Sequence, residues 1–335
     1  MTPRTSGPTG KRATILDVAA AAGVSRQTVT RAMNGMTGIS RETRERVQKL
    51  AAELGYTPSR FAKGLVQGAR ISIGLAIPDL TNPYFPAFAS SVVEEATSRE
   101  WNVVVDDYGH GGGSALDAAA RLAPQVDALI GYLAPHSDEA QDIMGRRPVV
   151  ALDSPDAGTA GGIAFDFHHA ARLALAHLAS RGCRNIAFLD SGQGGPPSSR
   201  SAAAAAVAAE AGIQLTRVEA EPTAGAAKLA VAALAARAGR PDGILAFNDL
   251  MAAGVLKALQ EAGVAVPGDC AVMGMDGIPL GELLTPELTT LSLDLRAVGR
   301  AAVGLLDGLL SGSLPERSPA AYLTLQHQLV LRQSA

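Results

Sequence analysis

The chain has 335 residues, 47% of them hydrophobic, which is enough to bury a full core and too many for one average domain. No apolar run reaches the roughly 18–20 residues that span a bilayer, and no apolar signal core follows Met1, so neither membrane insertion nor export is expected. Two cysteines, Cys183 and Cys270, make neither a disulfide framework nor a metal site; they read as packing residues, and no cofactor is expected. The net charge of −3 is unevenly spread. Residues 1–70 hold twelve lysines and arginines against four acids, a surplus of eight, which leaves −11 on the remainder. A basic head on an acidic body is what phosphate binding at one end requires, although a solvated basic face has the same composition.

In chain order, residues 1–12 are rich in Thr, Pro, Gly and Ser without periodicity and read as a disordered arm. Three short helices are predicted next. Thr14 with Asp17 forms a capping pattern opening Ile15–Ala22, Gly23-Val24 makes a turn, and Ser25 caps Arg26–Met33. After the Asn34–Gly38 loop, Ser40 caps a third helix to about Leu54, where Gly55 stops it. Val47, Leu50, Ala51 and Leu54 form its predicted buried stripe.

From Ile71 the pattern changes. Short apolar runs at Ile71–Ile77, Val103–Val105, Ala128–Ile130, Val149–Leu152, Ile186–Leu189, Ile244–Phe247 and Ala271–Met275 read as strands. Ala-rich helical stretches at Ala87–Arg99, His169–Arg181, Ala202–Ala211, Ala226–Ala238 and Leu250–Ala262 lie between most of them. That alternation predicts parallel α/β architecture, and so many units fit two lobes better than one sheet.

Two short helices joined by Gly23-Val24 have the helix-turn-helix arrangement, whose second helix enters the DNA major groove. With Val29, Ala32 and Met33 facing inward, Arg26, Gln27 and Arg31 project outward. Arg grips guanine bidentately and Gln grips adenine. Ser25, Thr28, Thr30 and Asn34 are short donors suited to phosphates. A small helical protein-interaction module is the alternative these residues leave open.

The runs Thr14-Ile15-Leu16-Asp17-Val18-Ala19, Ala22-Gly23-Val24-Ser25 and Thr28-Val29-Thr30-Arg31-Ala32-Met33-Asn34 resemble the lactose/galactose repressor (LacI/GalR) family. Ser40–Val47 and Leu54-Gly55-Tyr56-Thr57-Pro58 continue the likeness, with Thr30 standing where the family has Ser. The resemblance implies an all-α helix-turn-helix head plus a hinge helix, then an α/β body of two lobes with the type I periplasmic-binding-protein fold. It divides the chain into the arm (1–12), head (13–58), hinge and linker (59–70) and effector-binding body (71–335). The first lobe would hold about 71–164 and 293–322, and the second about 165–292 and 323–335. It further implies that the hinge helix Ser59–Leu65 orders on DNA, with Leu65 wedged between base pairs and Ala62 and Arg60 beside it. A seven-residue helix containing Gly64 is marginal by itself.

In the body, Ile73–Phe85 resembles the family's first strand and following loop. Ligands of open α/β sheets sit beyond the carboxyl ends of strands. Asn82, Tyr84, Phe85, Asp153, Asn248 and Asp276 occupy such positions, and the resemblance implies that Arg200 stands where the family has its ligand-binding arginine; these are the expected effector-binding residues, although each alone also reads as a cap, loop or core residue. Met275-Asp276-Gly277 departs from the family's aromatic-Asp-Asp, Leu293 replaces a residue that is polar in some relatives, and His110–Ser114 replaces a charged stretch. Catalytic readings fail. His110-Gly111-Gly112-Gly113 has no Gly-x-Ser-x-Gly elbow to serve, Gly192–Gly195 carries no phosphate-loop lysine, and His168-His169 diverge on a helix.

The expectation is therefore a cytoplasmic, homodimeric repressor of carbohydrate-metabolism genes that binds double-stranded operator DNA, under control of a saccharide effector. A nucleobase is the alternative effector, and a solute-binding transport protein or an α/β enzyme the alternative function.

Overall fold

The computed structural model describes residues 15–33, 37–54, 70–109, 112–154, 158–191, 195–235 and 240–335. The expectations for the arm, for Thr14, for Asn34, for Gly55 and for the hinge with Arg60, Ala62 and Leu65 lie outside the described residues, as do those for His110-Gly111 and Gly192–Gly194. The chain divides between Arg70 and Ile71 into two compact units.

The first unit holds α1 (Ile15–Ala22), α2 (Arg26–Met33) and α3 (Arg41–Glu53), as the pattern predicts. Gly23 turns the chain at φ 64°, a conformation glycine enters without a Cβ penalty. The Ser25 and Ser40 hydroxyls accept the Thr28 and Thr43 amides at 3.1 Å, each satisfying a donor that a helix start leaves open. Val18, Val29, Ala32 and Val47 are fully buried and Ala51 nearly so, forming a small core. Leu54 departs from its expected stripe and is 40% exposed. α3 ends at Glu53, and the preceding turn already fills a core built from such small side chains.

The second unit is built on two six-stranded sheets. The first runs in the order β11 (Tyr322–Leu325), β5 (Gly161–Phe165), β4 (Val149–Leu152), β3 (Ala128–Tyr132), β1 (Ser72–Ile77), β2 (Asn102–Asp107), all parallel. The second runs β12 (Gln328–Val330), β10 (Thr289–Ser292), β9 (Ala271–Asp276), β8 (Gly243–Ala246), β6 (Asn185–Ser191), β7 (Gln214–Ala220), with only β12 antiparallel to its neighbour. Parallel strands need covered faces, and the Ala-rich stretches supply them as helices because Ala costs least to order in a helix. These are α4 (Tyr84–Ser98), α5 (Ala115–Leu122), α6 (Ser137–Met144), α7 (Phe167–Ser180), α8 (Ser199–Ala211), α9 (Ala224–Ala235), α10 (Asp249–Glu261), the short α11 (Leu280–Leu283) and α12 (Leu295–Ser311). α12 packs so tightly on α4 that a Cβ at Gly299 would stand 2.2 Å from the Ser91 hydroxyl oxygen.

The chain passes between the sheets three times: after Phe165, after Ser292 and after Leu325. The last crossing was expected near residue 322. It falls later because Tyr322–Leu325 extends the first sheet in register with Gly162–Phe165. Phe165 likewise belongs to the first sheet. Cys183 and Cys270 are buried and free. Among the described residues, no helix is long and apolar enough to cross a membrane.

Candidate functional sites: a polar helix face and an inter-lobe cleft

On the head, Arg26, Gln27 and Arg31 are exposed on α2 while Val29 and Ala32 on its opposite face are fully buried. That polarity leaves two guanidinium groups and one amide free to reach a base edge. Ser25 is exposed, and its hydroxyl lies 2.9 Å from that of half-buried Thr28. The Thr30 hydroxyl donates to the Arg26 carbonyl at 3.1 Å, so it turns inward along its own helix. The outward chemistry of α2 rests on the long side chains.

In the body, the expected effector residues come from strand ends and the helix starts after them. Asp153 follows β4 and Asp276 closes β9, both with left-handed backbone, φ 53° and 130°. Such backbone is uncommon outside glycine and concentrates at functional sites. Asp276 is held from below: the buried carboxylate of Asp249 accepts the Thr290 hydroxyl at 2.5 Å and the Ile278 amide at 2.9 Å, fixing the chain just beyond it. Gly277, where the family pattern has Asp, sits at φ 74°, and a Cβ there would meet the Ser292 hydroxyl oxygen at 2.1 Å. The departure follows from this packing.

Arg200, in the first turn of α8, joins the two acids. Its Nη1 donates to the Phe247 carbonyl at 2.6 Å and lies 3.5 Å from Asp276 Oδ1. The guanidinium carbon stands 4.2 Å from the centre of the Phe247 ring and 5.3 Å from that of Phe167, within cation–π range of both. Burial pushes the Asp276 carboxyl up to about 8, against the opposing pull of Arg200 and with a further push from Asp249. Asp153 rises to about 6, again by burial opposed by Arg200. Tyr84 is also raised, first by burial and then by the charge of Asp276, which places that ring beside the acids.

Tyr84, Phe85, Phe88 and Tyr132 pack edge to face, with the Tyr84 and Tyr132 hydroxyls 2.8 Å apart. Asn82 and Asn248 have structural work in this arrangement. The Asn82 side-chain oxygen accepts the Tyr84 amide at 3.1 Å, and that of Asn248 accepts the Met251 amide at 2.8 Å, capping α10. Tyr84, Asp153, Arg200 and Asp276 are thus brought together, Phe85 belongs to the aromatic cluster beside them, and the two asparagines shape the helix starts that bound the site.

Four residues escaped the sequence reading. Tyr132 was missed because β3 was expected to stop at Ile130, and Phe167 because α7 was expected to start at His169. Phe247 was counted as the end of a strand that stops at Ala246. His327, in the last crossing, is 1% exposed and lies 6.2 and 5.7 Å from the Phe165 and Phe167 ring centres. Its Nδ1 has no hydrogen-bond partner among the described residues, and burial drives the imidazole down to about 3. Strand-end position was the signal available for the first three; nothing local marks His327. His168 and His169 are half-buried.

Known proteins resemble this chain along its length. Residues 14–59 match the lacI family of bacterial regulatory proteins, and residues 175–335 match a periplasmic binding protein-like domain. The ribose operon repressor of Halalkalibacterium halodurans is 33% identical over 297 residues, covering 88% of this chain and 89% of its own. A LacI family transcriptional regulator from Arthrobacter sp. FB24, solved in complex with lactose, is 59% identical with a TM-score of 0.77, over 80% of this chain and 100% of the other. The lac repressor dimer bound to operator and the anti-inducer ONPF is 28% identical with a TM-score of 0.70, over 97% and 99% of the two chains. These relatives are regulators, and the likeness takes in the DNA-reading head together with the lobed body, which a solute-binding protein would lack. The chain belongs to the lacI family of bacterial regulatory proteins and is a ligand-responsive, DNA-binding transcription regulator.

Proposed function

We propose that this regulator is a cytoplasmic, homodimeric repressor of carbohydrate-metabolism genes, and that a saccharide entering the cleft changes its hold on operator DNA. The observation that carries the effector class is the grouping of Asp153, Asp276 and Arg200 beside the Tyr84 and Phe247 rings. Carboxylates take sugar hydroxyls in pairs, a guanidinium takes a ring or hydroxyl oxygen, and aromatic faces stack on the apolar side of a sugar ring. The lactose held by the Arthrobacter regulator supports the same class.

On the DNA side, Arg26, Gln27 and Arg31 read base edges in the major groove, and Ser25, Thr28 and Asn34 seat the helix on phosphates, Thr30 being turned back onto its own helix. Arg60, Ala62 and Leu65 engage the minor groove at the centre of a pseudo-palindromic operator, each protomer reading one half-site. The division into head 13–58, hinge and linker 59–70 and body 71–335 serves this coupling: the sugar prefers one lobe arrangement, and the hinge carries that preference to the DNA.

Isothermal titration of the full chain with lactose, ribose and hypoxanthine separates a saccharide effector from a nucleobase. Heat from a sugar with none from hypoxanthine supports the reading. Operator-fragment binding with and without that sugar, repeated over a salt series, then tests the coupling. A palindromic promoter fragment that never outcompetes random duplex, with or without the sugar, overturns it.

A further inference from the structure

Resting on the saccharide reading, we infer that the cleft takes uncharged saccharides and rejects their phosphorylated forms. A sugar phosphate brings roughly 1.5–2 negative charges at neutral pH and needs a free cation or open helix-start amides to receive them.

The cation is already committed. Among the described residues, Arg200 is the one positive group acting on Asp153 and Asp276. It donates to the Phe247 carbonyl at 2.6 Å, lies 3.5 Å from Asp276, and is held between two aromatic rings with its side chain 12% exposed. The ring nearest in the last crossing, His327, adds no charge, since burial keeps it neutral at physiological pH.

At each helix start beside the site one amide is already engaged. The Tyr84 amide is taken by Asn82, the His169 amide by Asp166, the Ser201 amide by Ser198 and the Met251 amide by Asn248. What remains at the strand ends is two carboxyl groups, Asp153 ionised near neutral pH and Asp276 largely protonated until about pH 8. At low dielectric a phosphate dianion there meets like charge, whereas hydroxyls meet acceptors. The geometry therefore discriminates by charge before it discriminates by sugar.

The test is titration of the full chain at pH 7.5 with two matched pairs, lactose against lactose 6-phosphate and galactose against galactose 6-phosphate. The phosphorylated member is expected to bind about a hundredfold or more weaker, because like-charge juxtaposition costs several kcal/mol. Asp153→Asn keeps the shape and removes the carboxylate that is ionised at this pH, whereas Asp276→Asn replaces a carboxyl already largely protonated there; with thermal unfolding used to confirm folding, Asp153→Asn should narrow the gap about tenfold or more. A phosphorylated sugar that binds as tightly as its neutral partner overturns the inference while leaving the saccharide reading standing. So does a gap that folded Asp153→Asn leaves unmoved. If no saccharide of either kind binds, the inference falls together with the reading it rests on.

Discussion

The head and the body handle charge in opposite ways. On α2 the charged side chains stand in water, and the helix folds on a face of Val and Ala that has nothing to do with them. In the body the ionisable side chains of the site are buried at Asp276 and half-buried at Asp153 and Arg200, bent out of ordinary backbone geometry at the two acids, and Asp276 is paired with Arg200. An exposed charge waits for its partner at almost no folding cost, so a reading helix can change its specificity without endangering its fold. A buried carboxylate costs stability until something meets it. A ligand that meets the buried groups would offset that cost.

Substitutions of matched kind in the two regions test that contrast. The largest effect is expected at Arg200. Arg200→Ala strips both acids of the one described cation acting on them, and effector affinity should fall by about 3 kcal/mol or more, over a hundredfold, in a lactose titration. Affinity for operator without effector should stay nearly constant. Equal losses in both measurements would erase the distinction between regions.

Arg26→Ala or Gln27→Ala should remove up to about 3 kcal/mol of discrimination at one base position, read by site selection from randomised duplex, with the thermal midpoint almost unmoved. A midpoint that drops sharply would mean that α2 also needs its polar face to fold.

Next comes His327, where the body carries an uncharged group that acid would charge. The folded-state value near 3 lies below the ordinary imidazole value of about 6.5, so the unfolded chain binds the proton first. Stability is whole above the unfolded value and declines as pH falls toward the folded one. Between pH 7 and pH 5 this residue should cost about 2 kcal/mol. His327→Leu should abolish that share of the acid sensitivity in urea unfolding at the two pH values, and a slope identical to wild type would refute the burial argument.

The smallest effect belongs to the head. Ser40→Ala leaves the Thr43 amide without its cap and should cost about 1 kcal/mol, seen as a modest drop in the head's unfolding midpoint.

The amino-acid order determined whatever depends on neighbours a few positions apart. Gly23 between two short apolar-periodic runs, Ser25 and Ser40 ahead of them, and the Val29/Ala32 spacing were enough to place three helices and to say which side of α2 faces outward. Local hydrogen bonds and the 3.6-residue period act over that range. β4 was legible to the residue because Val149–Leu152 is an uninterrupted apolar run opening on two valines. The strands Gln214–Ala220 and Tyr322–Leu325 were not, since an edge strand shows weak alternation and is made a strand by its neighbour.

Tertiary structure alone decided the site. That Tyr84, Asp153, Arg200 and Asp276 share one field, while Asn82 and Asn248 turn to capping, depends on three crossings that bring separate sheets' strand ends face to face. Sequence marks Asp153 and Asp276 as polar residues at strand ends and reaches Arg200 only through a family likeness; the folded chain alone brings them into one weakly screened environment.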